Sequence, residues 1–468
     1  MRKLNCDVAV IGAGTAGLAA HGAAQRAGAD TLLIESGPPG TTCARVGCMP
    51  SKLLIAAADL AHCCGNASVF GIQTAPMRVD GRAVMTRLRA ERHHFVRSVL
   101  KSYEAIPQAQ RLSGHARFLD RQTLAVGDHT RIQAKAIVIA TGAHSDVPAM
   151  FDAVRDRVLT NDHLFELTTL PTSVAVVGAG PLGLELGQAL HRLGARTTIF
   201  DQGHAVGGLQ NDDMNAVAAK LFAESLNLKL GVELSVEREH GGLRVHWQSP
   251  ADSGSAYFDH VLVAAGRPPN LQALDLQHAG IGLDEKGRPE FDPTTMRCGD
   301  SAIFIAGDCD HSRPLLHEAA DDGAIAGHNA ASYPLVKPHA RRVAMAVTFS
   351  DPQIAVIGDV KRANRRTGRI DFADQGRARV MNAHRGLLQV YGDPDSGRVI
   401  GAEMIGPAAE HIGHLLAWSV QQKLTARSLL AMPFYHPTLE EGLRTALRDL
   451  CSQMNVLPAT AADELESV

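Results

Sequence analysis

The chain has 468 residues, 45% hydrophobic and 20% charged, enough for about three domains of ordinary globular composition and not the make-up of a disordered polymer. Lysine plus arginine total 46 against 49 for aspartate plus glutamate, and a formal net charge of −3 offers no electrostatic attraction for nucleic acid or an anionic membrane surface. No uninterrupted apolar run reaches the roughly 18 residues of a membrane span, and the polar start Met1 to Asp7 lacks a signal-peptide core, so a cytoplasmic protein acting on small molecules is expected.

Val8 to Ile11 reads as a buried strand, followed by Gly12-Ala13-Gly14-Thr15-Ala16-Gly17, a helix ended by Gly28, and a second strand ended by Glu35. This is the pattern of a βαβ dinucleotide-binding unit. The first glycine allows the tight turn, the second lets the backbone approach a pyrophosphate, and the third lets helix and strand pack closely. The phosphates rest on the helix N-terminus and the acid accepts hydrogen bonds from a ribose hydroxyl. One such fingerprint is weak, because a glycine turn is often only a turn.

After it comes Cys43-Ala44-Arg45-Val46-Gly47-Cys48-Met49-Pro50-Ser51-Lys52. Eight cysteines without a secretory signal do not form a structural disulfide framework in a reducing compartment, so a close pair calls for a redox or metal explanation. A disulfide closed over so short a segment is strained and easily reduced, and a nearby helix start favours a thiolate. Zinc would need further ligands, and only His62, Cys63 and Cys64 lie near, where adjacent cysteines serve a tetrahedral site poorly. A pair of inert core cysteines is the other alternative. Cys63 and Cys64 themselves are expected as buried small residues on a helix.

The strand Ala136 to Ala140 ends at Thr141-Gly142, and the whole first unit then returns at an offset of 166 residues, as Val174 to Val177 followed by Gly178, Gly180 and Gly183. The copies stay in step: Arg26, Gly28, Ala29 and Thr31 match Arg192, Gly194, Ala195 and Thr197, and Asp201, like Glu35, follows its first glycine by 23 residues. Two fingerprints in register are strong evidence for two dinucleotide sites. Val261 to Gly266 closes the second segment and Ala302 to Asp308 returns to the first kind of unit. The expected fold is α/β, with two Rossmann-like domains, one inserted in the other: 1–150 with 266–340, and 151–265. From 341 to 468 strand-like Val343 to Phe349 and Leu387 to Tyr391 precede helical runs, which predicts a separate α+β domain. The tail after Cys451 is small and acidic and carries no core pattern.

Thiol exchange needs a group that moves a proton near neutral pH, the range of histidine. Among 22 histidines, His436 stands out because Glu441 follows at a distance that could orient its ring. Thr438-Leu439-Glu440-Glu441 also reads as a capping box opening the next helix.

Taken together, Cys43 to Lys52, Gly307-Asp308, Leu315-Leu316-His317-Glu318-Ala319 and Phe434 to Glu441 resemble the pyridine nucleotide-disulfide oxidoreductases, and within them the dihydrolipoamide dehydrogenases. The resemblance covers nearly the whole chain. It implies that Gly12, Gly14, Gly17, Glu35, Gly307 and Asp308 serve FAD, with Ala319 at the flavin ring. Thr42, Lys52, Ala116, Thr141 and Gly142 match further FAD-contacting positions. Gly178, Gly180, Gly183, Asp201 and Gly266 fall to the nicotinamide dinucleotide. Lys52 and Glu185 match an ion pair near the reactive flavin nitrogen, although a glutamate on a surface helix is the plainer reading of Glu185 taken alone. The resemblance further implies that Cys43 attacks the substrate disulfide and Cys48 lies against the flavin as the charge-transfer thiolate. His436, oriented by Glu441, would act across a homodimer formed through the last domain, on a lipoyl-bearing protein or a small disulfide.

Departures from the family pattern also occur. Gly40-Thr41-Thr42 replaces Gly-Gly-Thr before the first cysteine, and Ala44-Arg45 replaces a Leu-Asn or Val-Asn. Thr41 is expected to crowd a flavin phosphate contact. Residues Gln202 to Ala205 after Asp201 contain no clamp for a 2′-phosphate, so NAD is expected over NADP. A mercuric reductase would end in a cysteine pair, whereas Cys451 is single. Other readings are a reductase of another disulfide, an NADH oxidase, which needs only one cysteine, and a non-catalytic flavin scaffold, which needs neither the pair nor His436. No metal site is expected.

Overall fold

A computed structural model describes residues 1–454; the reading of the acidic tail concerns mostly residues 455–468, which lie outside it. Strand Arg2–Ile11 is central in the first sheet, parallel to Thr31–Glu35 on one side and Thr130–Ile139 on the other. Val10 stands opposite Leu33 and Val138, all fully buried. Layers on both faces of a parallel sheet account for the unbroken apolar runs. The far edge of Thr130–Ile139 is shared: Thr123–Val126 pairs antiparallel along its first residues, and Ile303–Ile305 pairs parallel along Ile137 to Ile139. Residues beyond 300 therefore complete the sheet begun at residue 2.

Helix Thr15–Arg26 crosses helix Leu316–Ser332 at backbone contact. A Cβ on Gly323 would meet Ala16 O at 2.2 Å, and one on Gly327 would meet Ala20 O at 2.1 Å. Small residues on both helices thus bring the late segment against the first fingerprint.

The inserted unit has its own parallel sheet, in the order Asn227–Leu230, Arg196–Asp201, Ser173–Val177, His260–Val263, Val158–Leu159. It also carries an antiparallel sheet, Glu233–Glu239, Gly242–Gln248 and Ser253–Phe258, that the sequence reading did not anticipate. That sheet is anchored by aromatic contacts of Phe200 with Trp247 at 5.5 Å and Phe258 at 6.2 Å. The last domain is α+β: five antiparallel strands in the order Met345–Thr348, Gln353–Gly358, Val399–Gly406, Leu387–Gly392, Arg366–Asp371, packed by helices Ala409–Gln421 and Glu441–Ser452.

Among the described residues no helix is long and apolar enough to cross a membrane, and no cluster of three His, Cys, Asp or Glu side chains could hold a metal. Cys63 and Cys64 correct an expectation. Both lie on helix Cys48–Gly65, but Cys63 is exposed and Cys64 half-buried. The buried stripe runs Ser51, Leu54, Ile55, Ala58, Ala61, and the two cysteines fall off it in the last turn.

Candidate active site

The two fingerprints superpose in their chemistry as well as their sequence. Gly12 has φ +106° and Gly178 φ +113°, and a Cβ on either would strike a strand carbonyl, Ala140 O at 2.3 Å or Ala264 O at 2.5 Å. A Cβ on Gly17 would lie 1.8 Å from Gly12 O, and one on Gly183 1.9 Å from Gly178 O, so the third glycine is what lets each helix sit on its turn. At Gly14 and Gly180 a Cβ would meet nothing within 4 Å. These two positions are helix N-caps without a side-chain cap, leaving first-turn backbone N–H groups of helix Thr15–Arg26, and of helix Pro181–Arg192 from Leu182 onward, free for a phosphate.

The acids repeat too. Glu35 accepts from Ala13 N at 2.7 Å and Gly37 N at 2.8 Å; Asp201 accepts from Ala179 N at 2.6 Å and Gly203 N at 2.7 Å. Each carboxylate is held at its fingerprint turn with lone pairs left for a ribose hydroxyl.

A cavity of about 500 Å³ opens at the first fingerprint, lined among others by Gly14, Glu35, Thr42, Ala116, Thr141 and Gly142. The residues fit the adenosine and pyrophosphate of FAD: open space at an uncapped helix start, with a carboxylate beyond it. Gly17, Lys52, Gly307, Asp308 and Ala319 are not in this wall. Gly307 lies between Ala16 and Ala319, with its Cβ position 2.8 Å and 3.3 Å from their Cβ atoms. The half-buried Asp308 carboxyl after it is pushed above the usual range by burial, a shift opposed by Arg267. Gly266 is exposed, and its carbonyl accepts from Asp146 N at 3.0 Å. A second cavity, about 730 Å³, lies past Asp201 against His204, Gln210, Asn215 and Lys361, and the second fingerprint does not line it.

Thr41 occupies the position of a family glycine at φ +52°, a backbone region costly for a β-branched residue by about 1–3 kcal/mol. Its hydroxyl accepts from Ala44 N at 3.3 Å, capping the short helix Thr42–Arg45, and both Thr41 and Arg45 line the first cavity. Arg45 donates to Pro38 O at 2.7 Å, folding back over the loop that follows Glu35.

Cys43 sits in that short helix and Cys48 opens the 18-residue helix Cys48–Gly65. The two sulfurs lie close enough for each to shift the other's titration. The contact polarises them. Donation from Cys43, the charge of Lys52 and the helix start bring Cys48 down to about 6, while the bond to Cys48 and burial push Cys43 upward. Cys48, beside Lys52 and at a helix start, is the more acidic sulfur and Cys43 the less acidic.

Lys52, one helical turn after Cys48, donates to Glu185 at 2.7 and 3.0 Å. Glu185 is buried, not a surface glutamate, because helix Pro181–Arg192 packs against helix Cys48–Gly65. Its Oε1 also accepts from Phe349 N at 2.8 Å, and Lys52 lies 4.6 Å from the Phe349 ring. Phe349 belongs to the last domain and was not singled out from the sequence.

His436 is exposed, with Nδ1 at 3.0 and 3.1 Å from the two Glu441 oxygens. The histidine holds the Glu441 carboxyl below its usual range. The expected capping box is only half formed. Glu441 accepts from Thr438 N at 3.1 Å, but the Thr438 hydroxyl donates to Tyr435 O at 2.7 Å, and the helix begins at Glu441 with Glu440 at its N-cap. Among the described residues of the one chain His436 is hydrogen-bonded to Glu441 and to neither cysteine.

Sequence reasoning also missed Asn161, which donates from Nδ2 to Val46 O at 2.8 Å, inside the turn between the cysteines. The contact spans 115 residues, and no local pattern marks it.

The pyridine nucleotide-disulphide oxidoreductase family model matches residues 6–324, and that family's dimerisation domain matches residues 344–447. A dihydrolipoyl dehydrogenase of Haloferax volcanii is 30% identical, covering 96% of each chain. A mercuric reductase of Shigella flexneri is also 30% identical, covering 97% of this chain and 82% of its own. The fold matches LpdA from Mycobacterium tuberculosis at a TM-score of 0.80 with 24% identity, covering 96% and 99% of the chains. It also matches the HOCl-induced flavoprotein disulfide reductase RclA from Escherichia coli, in its Cu(II) complex, at 0.79 with 22% identity, covering 97% and 99%. With two dinucleotide fingerprints, a polarised cysteine pair and a match over more than half its length, the chain belongs to the pyridine nucleotide-disulphide oxidoreductases, which work with FAD and a nicotinamide dinucleotide.

Proposed function

We propose that this enzyme oxidises a dihydrolipoamide-type dithiol with NAD+ through Cys43 and Cys48, as a dihydrolipoyl dehydrogenase. The observation that carries the reading is the asymmetry of the pair. Cys48 opens a helix with Lys52 one turn on and is the more acidic sulfur, while Cys43 is the less acidic, the division needed when one sulfur exchanges with substrate and the other faces the flavin. FAD, when bound, relays two electrons between the dithiol and the nicotinamide. Gly12, Gly14, Glu35, Thr42, Ala116, Thr141, Gly142 and Asp308 hold it, with Ala319 beside the ring and Gly17 and Gly307 packing the site. Gly178, Gly180, Gly183, Asp201 and Gly266 hold NAD.

The protein's own part is proton management and positioning. Nδ1–H of His436 donates to Glu441, which leaves Nε2 to take a proton from an incoming thiol and return it. His436 is 82% exposed, which suits a residue that completes the site of a second copy, so we assign a homodimer through the matched dimerisation domain. The domains are assigned as 1–150 with 266–340, 151–265, and 341–468.

The test is NADH formation by the purified, flavin-loaded protein from dihydrolipoamide and NAD+, run beside NAD(P)H-driven reduction of glutathione disulfide and mercuric ion. Preference for dihydrolipoamide supports the reading. Preference for mercuric ion would favour the second reading, which the equally similar mercuric reductases keep in play.

A further inference from the structure

We infer that Asn161 is a positioning residue for the redox pair: by donating to the Val46 carbonyl it fixes the turn between Cys43 and Cys48 and sets how readily the two sulfurs join. The inference rests on reading those cysteines as the exchanging pair.

The turn needs outside support. Val46 and Gly47 form a non-helical joint between helices Thr42–Arg45 and Cys48–Gly65, with Val46 at φ −139°, ψ 5° and Gly47 at φ −116°, ψ −119°. Val46 N donates to Thr42 O at 2.9 Å and Ser51 N to Gly47 O at 3.2 Å, so the helical ladder runs on both sides of the joint. Between them the Val46 carbonyl lies outside both helices and belongs to neither ladder, and residue 50, four positions on, is a proline with no N–H to offer. Asn161 Nδ2 supplies the donor at 2.8 Å from 115 residues away.

Asn161 is itself immobilised. It is 2% exposed, and its Oδ1 accepts from Ser145 Oγ at 2.6 Å and Arg267 Nη1 at 3.4 Å. Arg267 also donates to Ala143 O at 2.9 Å. The joint is thereby braced by the turns that close the first and second dinucleotide segments. Releasing the carbonyl leaves a half-buried acceptor without its donor and lets the joint sample more conformations, which lowers the effective concentration of one sulfur at the other.

When the pair closes, the sulfur–sulfur bond forms, Cys43 loses its proton and two electrons leave. In the proposed test oxidised dithiothreitol takes those electrons with two protons, one from Cys43 and one from solvent. The midpoint potential of the pair is measured in the flavin-loaded protein against graded dithiothreitol, for the parent, Asn161→Ala and Asn161→Asp. Asn161→Asp keeps acceptors for Ser145 and Arg267 while losing the donor and adding a negative charge, and Asn161→Ala loses the donor without that charge. Both variants are expected to disfavour the disulfide about tenfold, a potential about 30 mV more positive, with FAD content and melting temperature recorded alongside. Ser145→Ala, which leaves the donor but removes one brace, should move the potential the same way by less.

Parent potentials in both Asn161 variants would overturn the inference. If those variants lose FAD or fail to fold, Ser145→Ala decides: a positive shift supports the inference and an unchanged potential overturns it. A parent protein that shows no two-electron thiol couple would instead overturn the reading of Cys43 and Cys48.

Discussion

The Lys52 ammonium and the Glu185 carboxylate meet at 2.7 Å across two domains, and the carboxylate is only 4% exposed while the ammonium is 33% exposed. Helix Cys48–Gly65 brings the lysine, helix Pro181–Arg192 of the inserted domain brings the acid, and Phe349 N of the last domain completes its hydrogen bonding. The pair ties three domains together within one helical turn of Cys48.

Its two halves act on Cys48 with opposite sign, since Lys52 lowers its titration and Glu185 raises it. Lys52→Met is expected to move thiolate formation upward from about 6, and Glu185→Gln to move it downward. The rate of alkylation by iodoacetamide against pH reads both. Reactivity should persist at neutral pH in the parent and fall as pH drops through about 6. Lys52→Met also strands a buried carboxylate and should cost about 3 kcal/mol in denaturation, the low end for a broken buried pair because the lysine is partly solvated. Glu185→Gln should cost about half of that, since an amide oxygen can still accept from Phe349.

The glycine fingerprints predict two different failures. Gly17→Ala puts a methyl 1.8 Å from Gly12 O and must displace the turn, so the protein should lose at least about 3 kcal/mol of stability along with its flavin. Gly14→Ala meets nothing within 4 Å and should keep its fold while its methyl occupies the phosphate approach. Melting curves of flavin-stripped protein, set against FAD affinity, separate the two: stability falls in the first and affinity alone in the second.

Much of this site was legible because its signals are local. The fingerprints, the acids 23 residues on and the cysteine spacing are each set by a short segment whose backbone geometry demands those residues. The three-stranded sheet from Glu233 to Phe258 was not legible. Its exposed edges weaken the alternation, and its anchoring depends on Phe200 from a distant strand. Cys63 and Cys64 were misread because residue type suggested burial, whereas the position of the helix stripe decides it. At the capping box, Thr438 had two partners available, and the turn holding His436 took the hydroxyl. Asn161 depends on a contact spanning 115 residues that only the folded chain reveals.

For the nicotinamide, Asp201 is held by two backbone N–H groups, and in the proposed NAD site its charge would meet a ribose hydroxyl. A 2′-phosphate there is repelled, so catalytic efficiency with NAD should exceed that with NADP by about 100-fold. Equal efficiencies, measured as kcat/KM for the two cofactors, would show that this carboxylate does not set the choice.

His436→Gln should retain FAD and allow reduction of the flavin by NADH, but slow the disulfide half-reaction about 10²–10⁴-fold, the usual contribution of a positioned acid–base group. Stopped-flow traces of the two half-reactions report this directly. Glu441→Gln, which keeps a hydrogen-bond acceptor without the charge, should have a smaller effect on the same step, and an unimpaired disulfide step in His436→Gln would remove histidine from the mechanism.

The central claim is that turnover runs through Cys43 and Cys48 in unlike roles, and the absorption spectrum of flavin-loaded Cys43→Ser tests it most directly. The serine hydroxyl can still donate to Cys48, so the thiolate should persist against the flavin. A long-wavelength absorption should then be present without added reductant, together with loss of disulfide turnover; Cys48→Ser should lack the band. A Cys43→Ser protein that keeps full disulfide turnover, or that shows no such band while retaining FAD, would contradict the account.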